Sequence, residues 1–169
     1  MRVVVPYSPG QLHPRVVPSI VAQGYEAETY ECVNIVGDPM SYPALLHQWL
    51  TSGEDVCIVE HDNESRPGFL ADLDACPEPW CFYAYDLSIP WEDAILDPGP
   101  NSAPLGELFA PLGHTRFRAG VGDLILPTLT AGWFRESWVA RDTWVSGALN
   151  AVGLIPHRHP GKALHHHQY

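Results

Sequence analysis

Apolar residues along the chain fall into two alternating rhythms. Arg2 to Pro6 is a short β-branched run closed by the turn-forming cluster Pro6-Tyr7-Ser8-Pro9-Gly10, which predicts a buried first strand feeding a loop. His13 to Gln23 then places Val16, Val17, Ile20 and Val21 at helical spacing, with Pro14 in the first turn, Pro18 as a source of a kink and Gly24 as the stop. Glu28 to Val36 is rich in β-branched and aromatic residues and ends at Gly37-Asp38-Pro39, predicting a second strand. Ser41 to Thr51 sets Leu45, Leu46, Trp49 and Leu50 on one helical face before Ser52-Gly53, and Asp55 to Glu60 supplies a third apolar strand.

This β-α-β-α-β order predicts an α/β fold: a single Rossmann-like, mostly parallel sheet with flanking helices and ligands at the carboxyl ends of its strands. Further on, the pattern predicts a short helix over Pro67 to Leu73 and an aromatic strand over Trp80 to Tyr85. Ser88 to Pro111 is dense in Pro, Gly and Asp and reads as a long irregular loop. The last clear helix is Arg141 to Val152, with Trp144, Val145, Leu149 and Val152 on its apolar face and Gly153 ending it.

The 169 residues suffice for one core and not for two full domains, so one domain over 1–169 is expected, with its functional parts on one scaffold. At 46% hydrophobic and 17% charged, the composition is that of a chain that folds unaided. Its first apolar run is too short for a signal peptide, and no stretch reaches the roughly 18 to 20 apolar residues of a membrane span, so a cytoplasmic protein without membrane insertion is expected. Cys32, Cys57, Cys76 and Cys81 lack Cys-x-x-Cys spacing and read as buried, reduced thiols in preference to a zinc–cysteine site. A net charge of −11 opposes loose, sequence-independent binding to a polyanion. Arg116, Arg118, Arg135, Arg141 and Arg158 all lie in the C-terminal half, which makes that half the better place for an anionic ligand.

Three constellations carry candidate chemistry. Glu60-His61-Asp62 follows the third strand directly, placing carboxylates at the edge of the sheet, where hard oxygens suit Mg²⁺ or Mn²⁺ bridging a diphosphate or simply cap a turn. His157 and His159 precede His165-His166-His167, and histidines two apart project to the same side of an extended strand, able to face one ion. A terminal histidine run can be a cloning remnant, but this one is only three long, is followed by Gln168-Tyr169 and has the His157/His159 pair upstream. Asp142, in the first turn of the final helix, is held ionised by the helix dipole as either a cap or a general base.

Taken in order, Val3-Val4-Val5-Pro6-Tyr7, Val17 to Tyr25, and Leu50 to Asp62 continued by Arg66-Pro67-Gly68-Phe69-Leu70 resemble the nucleotide-sugar glycosyltransferases with the glycosyltransferase A fold. The resemblance is to the small, family-2-like members of viral or bacterial type and covers most of the chain. It implies a nucleotide-binding half over 1–87 and, over 88–169, an acceptor loop, the final helix and a His-rich metal-binding tail. In that family the last acid of an Asp-x-Asp motif binds the metal, a later acid opening a helix activates the acceptor, and a C-terminal His can complete the metal shell. Carried over, Asp62 becomes the metal ligand, with His159, His165 or His167 as the distal one, and Asp142 the base. Pro6, Tyr7 and Ser8 line the base pocket, Asp38 accepts a hydrogen bond from the base or is just a turn residue, and Glu60 stands where the motif has its first Asp.

The implied activity is transfer of a sugar, most simply from a UDP-sugar with Mn²⁺ or Mg²⁺, to an acceptor hydroxyl on a hydroxymethylated DNA base, a protein or a glycan, in the cytoplasm of a bacterium or of a virus-infected host. Two other readings compete: a zinc-dependent hydrolase using several histidines and one Asp, and a non-enzymatic metal-binding interaction module.

Overall fold

The computed structural model describes residues 1–33, 35, 37–86, 112–129 and 141–165. The sequence-based reading is closest where apolar runs are unbroken: β1 (Arg2–Tyr7), α2 (Tyr42–Leu50) and β3 (Val56–Val59) form where expected. The first helix, α1 (Val16–Val21), is shorter than the periodicity predicted. Pro18 lies in its first turn, where a missing N–H breaks no intrahelical bond, and Gly24, at φ 83°, takes the left-handed conformation that ends the segment. The second strand, β2 (Ala27–Glu31), is an edge strand that stops before Val36, a residue outside the described set. Next come β4 (Asn63–Glu64), α3 (Phe69–Ala75), β5 (Trp80–Asp86), β6 (His114–Phe117), α4 (Val121–Leu129), α5 (Arg141–Ala151) and β7 (His157–His165).

The fold is α/β, with one seven-stranded sheet in the order β2-β1-β3-β6-β5-β7-β4. The pairs β1/β2, β1/β3 and β5/β7 are parallel, whereas β3/β6, β5/β6 and β4/β7 are antiparallel. The sheet is therefore mixed, with β6 and β4 running against the other strands. The expected α/β class is present, whereas a Rossmann-like parallel sheet is not shown, since antiparallel β6 and β4 make the sheet mixed. The source of the difference is His114-Thr115-Arg116-Phe117, too polar to read as a strand, which inserts antiparallel between β3 and β5.

Alternation along the strands divides the core between two faces. Val4, Val56, Ile58, Trp80, Phe82 and Phe117 face α2, α4 and α5. Val3, Val5, Cys57, Val59, Cys81 and Tyr83 face α1 and α3. Helices thus cover both faces of the sheet. Among the described residues, no helix is long and apolar enough to cross a membrane.

Candidate functional site

Although first in sequence, β1 lies between β2 and β3. The chain leaves its carboxyl end over one face through α1 to reach β2, then returns over the other through α2 to β3. Such a switch point leaves a crevice outside the carboxyl ends of the two central strands. Pro6 helps to open it: β1/β3 pairing stops at Val4↔Ile58, whereas β1/β2 pairing continues to Tyr7↔Glu31.

Several of the residues predicted from sequence meet at this edge. Pro6 is buried and Tyr7 and Ser8 are half-buried; the Tyr7 carbonyl accepts the Cys32 N–H at 2.8 Å and the Ser8 carbonyl the Gln11 N–H at 2.9 Å. Glu60, His61 and Asp62 form the turn after β3, closed by Asn63 N–H donating to the Glu60 carbonyl at 3.0 Å. The loop after β1 is tied to this turn by the His13 N–H, which donates to the His61 carbonyl at 2.9 Å. The Asp62 carboxylate, 19% exposed, accepts the Asn63 side-chain amide at 3.0 Å and lies 3.9 Å from His61 Nε2. Glu60 belongs to the same turn but forms no metal-ligand group with His61 and Asp62 among the described residues; the two acids offer hard oxygen of the kind that suits Mn²⁺ or Mg²⁺.

The other candidates are distributed differently. Asp38 accepts the Met40 N–H at 2.8 Å through its side chain, the work of a turn residue in the loop after β2. His165 is brought next to the acidic turn by β7, whose backbone pairs His165 with Asn63. Asp142 is the second residue of α5, with its side chain outside the described part, and His167 lies outside the described residues altogether. His159 does not share a ligand group with Asp62 among the described residues; it stands with Cys76 and Cys81 instead.

That second neighbourhood escaped the sequence reading. Registers β3/β6, β6/β5 and β5/β7 set Cys57, Arg116, Cys81 and His157 in one row across four strands. Arg116 is wholly buried and donates to three carbonyls: Nε to Leu73 at 3.0 Å, Nη1 to Glu78 at 2.8 Å and Nη2 to Cys76 at 2.7 Å. His114, also wholly buried, sits 3.3 Å from the Ser65 hydroxyl, and burial lowers its pKa to about 4. Tyr83 stacks on Phe69 at 3.7 Å between ring centres, donates its hydroxyl to Asp72 at 2.7 Å and lies 5.0 Å from the His159 ring. Burial pushes the Cys81 thiol up to about 12, with the Arg116 charge opposing that rise, and desolvation, then His157, lowers the His159 pKa. The signal that was there to be read is Cys76-x₄-Cys81, within the spacing of zinc ligand pairs, combined with His157-x-His159.

The opposite end of β1 carries a concavity of about 520 Å³ lined by Arg2, Glu26, Glu28, Glu54 and Asp55 among others. Two of its acids are paired locally. Arg2 donates two hydrogen bonds to Glu28, each 2.7 Å, and Arg118 donates to Asp55. No family model matches the chain, and no curated protein matches it.

Proposed function

We propose that the crevice at the ends of β1 and β3 binds a nucleotide-sugar through a divalent cation, and that the protein transfers the sugar to an acceptor hydroxyl on a glycan, a protein or a hydroxymethylated DNA base. A glycosyltransferase A-type arrangement and a cytoplasmic setting belong to the same proposal. The observation that carries it is the Asn63↔His165 pairing: the acidic turn and the histidine tail, about a hundred residues apart in sequence, are neighbours across one strand pair. On this reading Asp62, with Glu60 and His165, holds Mn²⁺ or Mg²⁺, which supplies positive charge to the departing diphosphate. Pro6, Tyr7 and Ser8 form the wall against which the base packs. Asp142 takes the acceptor's proton as the acceptor oxygen bonds to the anomeric carbon and the bond from that carbon to the diphosphate oxygen breaks. Asn63 is a positioning residue, fixing the Asp62 carboxylate through its amide.

The test is a set of thermal melts with Mn²⁺ and UDP-, GDP- or CMP-linked sugars, repeated on Asp62→Ala. The expected result is a rise in melting temperature that needs both metal and one nucleotide and vanishes in the variant. A ligand at a hundred times its dissociation constant stabilises by about 2.7 kcal/mol, well within reach of the assay. If no nucleotide-sugar raises the melting temperature, or Asp62→Ala keeps the rise, the reading fails.

A further inference from the structure

We infer that Cys76, Cys81, His157 and His159 form a zinc-binding site that fastens β7 to β5 and to the end of α3. It uses different ligands and a different metal chemistry from the crevice, and stands whether or not that site binds a nucleotide-sugar.

The ligand atoms of Cys76, Cys81 and His159 all lie within 4.8 Å of one another, and all three residues are buried. Cys76 caps the C-terminus of α3, Cys81 is the second residue of β5, and His159 sits where β7 breaks register. Between the pairs Phe82↔Arg158 and Ala84↔Lys162, one residue of β5 faces three of β7, His159-Pro160-Gly161, with Gly161 at φ 105°. Bulges of this kind re-aim a side chain next to a site. Here the bulge holds the His159 ring 4.7 Å from that of His157, whose Nδ1 lies 3.2 Å from Cys76 Sγ. In a tetrahedral site with Zn–S of about 2.3 Å and Zn–N of about 2.0 Å, ligand atoms stand about 3.3 to 3.8 Å apart, so the three buried ligands close on an ion with adjustments of about 1 Å, while His157, exposed and outside that group of three, joins them by a larger rotation from its place beside Cys76.

Two further observations point to an occupant. His159 Nε2 is buried without a hydrogen-bond partner among the described residues, a state that a protein interior disfavours and a metal bond relieves. Arg116 carries its charge into the same layer, donating to three carbonyls and standing against the Cys81 thiol, so zinc-bound thiolates would place negative charge beside it. Two thiolates with two imidazoles select zinc over Mg²⁺ or Mn²⁺.

Cobalt(II) is the probe, added to reduced, metal-free protein in which His165, His166 and His167 are changed to alanine so that the tail cannot bind it. Expected is one equivalent bound, with a thiolate-to-cobalt charge-transfer band and the intense visible bands of tetrahedral geometry, both displaced by zinc and both lost in Cys81→Ser and in His159→Gln. Because either variant could fail to fold, alkylation of the protein with its cysteines and His159 intact supplies a second readout: bound zinc protects Cys76 and Cys81 at least tenfold more than Cys32. Absence of the charge-transfer band, a spectrum that persists in Cys81→Ser, or equal protection of all cysteines would each overturn the site. So would a Cys76–Cys81 disulfide in protein that, once reduced, takes up no cobalt.

Discussion

Gly122 and Gly147 make a paired test of the packing around the sheet, because helix propensity predicts the same sign for both and the structure predicts opposite signs. Both are helical, and replacing an interior helical glycine by alanine is worth roughly 0.8 to 1 kcal/mol when nothing interferes. A Cβ at Gly147 would meet nothing within 4 Å, so Gly147→Ala should stabilise by about that amount. At Gly122 the same atom would lie 2.0 Å from the Leu50 carbonyl oxygen and 2.4 Å from its carbon, which are backbone atoms at the end of α2 and cannot rotate aside. Relief requires α4 to move from α2 by more than 1 Å, dragging Val121 and Ile125 out of the core they share with Leu46 and Trp49. Overpacking of this kind costs about 1 to 3 kcal/mol, and a forced helix shift belongs at the upper end, leaving a net loss of about 1 to 2 kcal/mol after the propensity gain. For a chain of this size that is a fall of roughly 2 to 8 °C in melting temperature, readable by calorimetry or by urea melts. If Gly122→Ala melts at or above the parent temperature, the close approach of α4 to α2 is wrong.

The buried histidines give a pH signature. His114 is neutral in the folded state with a pKa near 4, while an unfolded histidine binds its proton below about 6.5, so its contribution is complete above pH 6.5 and is lost as pH falls toward 4. The loss is at most about 3 kcal/mol, and urea melts across that window should show a steeper slope in the parent than in His114→Gln; equal slopes would count against it. At lower pH the Asp55 carboxylate takes over. Burial opposes its ionisation, but the Ala119 N–H and Arg118 lower its pKa on balance, so stability present above the unfolded value of about 3.9 is lost as pH falls through the folded one, and Asp55→Asn should flatten that acid limb. Arg116→Met should destabilise by about 2 to 4 kcal/mol, because the carbonyls of Leu73, Cys76 and Glu78 at the end of α3 each lose a donor, that of Cys76 keeping Arg118 and that of Leu73 the Cys76 N–H; a change below about 1 kcal/mol would mean the guanidinium does not organise that segment. Removing zinc with a chelator should lower the melting temperature of the parent and leave that of a folded Cys81→Ser variant unchanged.

How much was legible in the chain follows from what each element rests on. β1, α2 and β3 rest on local apolar pattern, and Val3-Val4-Val5, the Leu45/Leu46/Trp49/Leu50 face and Val56 to Val59 declare it. β6 does not: His-Thr-Arg-Phe has the composition of an exposed segment, and its burial is supported by distant partners, Ser65 for His114, the Cys81 carbonyl for Thr115 and the Leu73, Cys76 and Glu78 carbonyls for Arg116, which leave no local trace. Missing that strand hid the mixed character of the sheet, and with it the row that runs from Cys57 to His157. The candidate site divides in the same way. The acidic turn was visible because it follows an apolar strand directly, whereas the cysteines were weighed by their own spacing and the histidines by theirs, and only the parallel β5/β7 register puts Cys81 opposite His157.

The consequence reaches the metal chemistry itself. In the sequence the histidines form one cluster that points to a single hard-oxygen site with Asp62. On the sheet His157, His159 and His165 lie on one nine-residue strand whose register runs from Cys81↔His157 to Asp86↔Leu164, so at about 3.3 Å per residue of β5 its ends stand roughly 20 Å apart, too far for His157 and His165 to share an ion. Its first end meets two thiols, which favour zinc, and its last meets a carboxylate turn, which favours manganese or magnesium. A single strand therefore joins two places of opposite ligand softness. Fixing its first end by zinc would also fix the position of its last, so loss of the Cys76/Cys81/His159 ligands should weaken whatever the acidic turn binds without touching a residue of that turn.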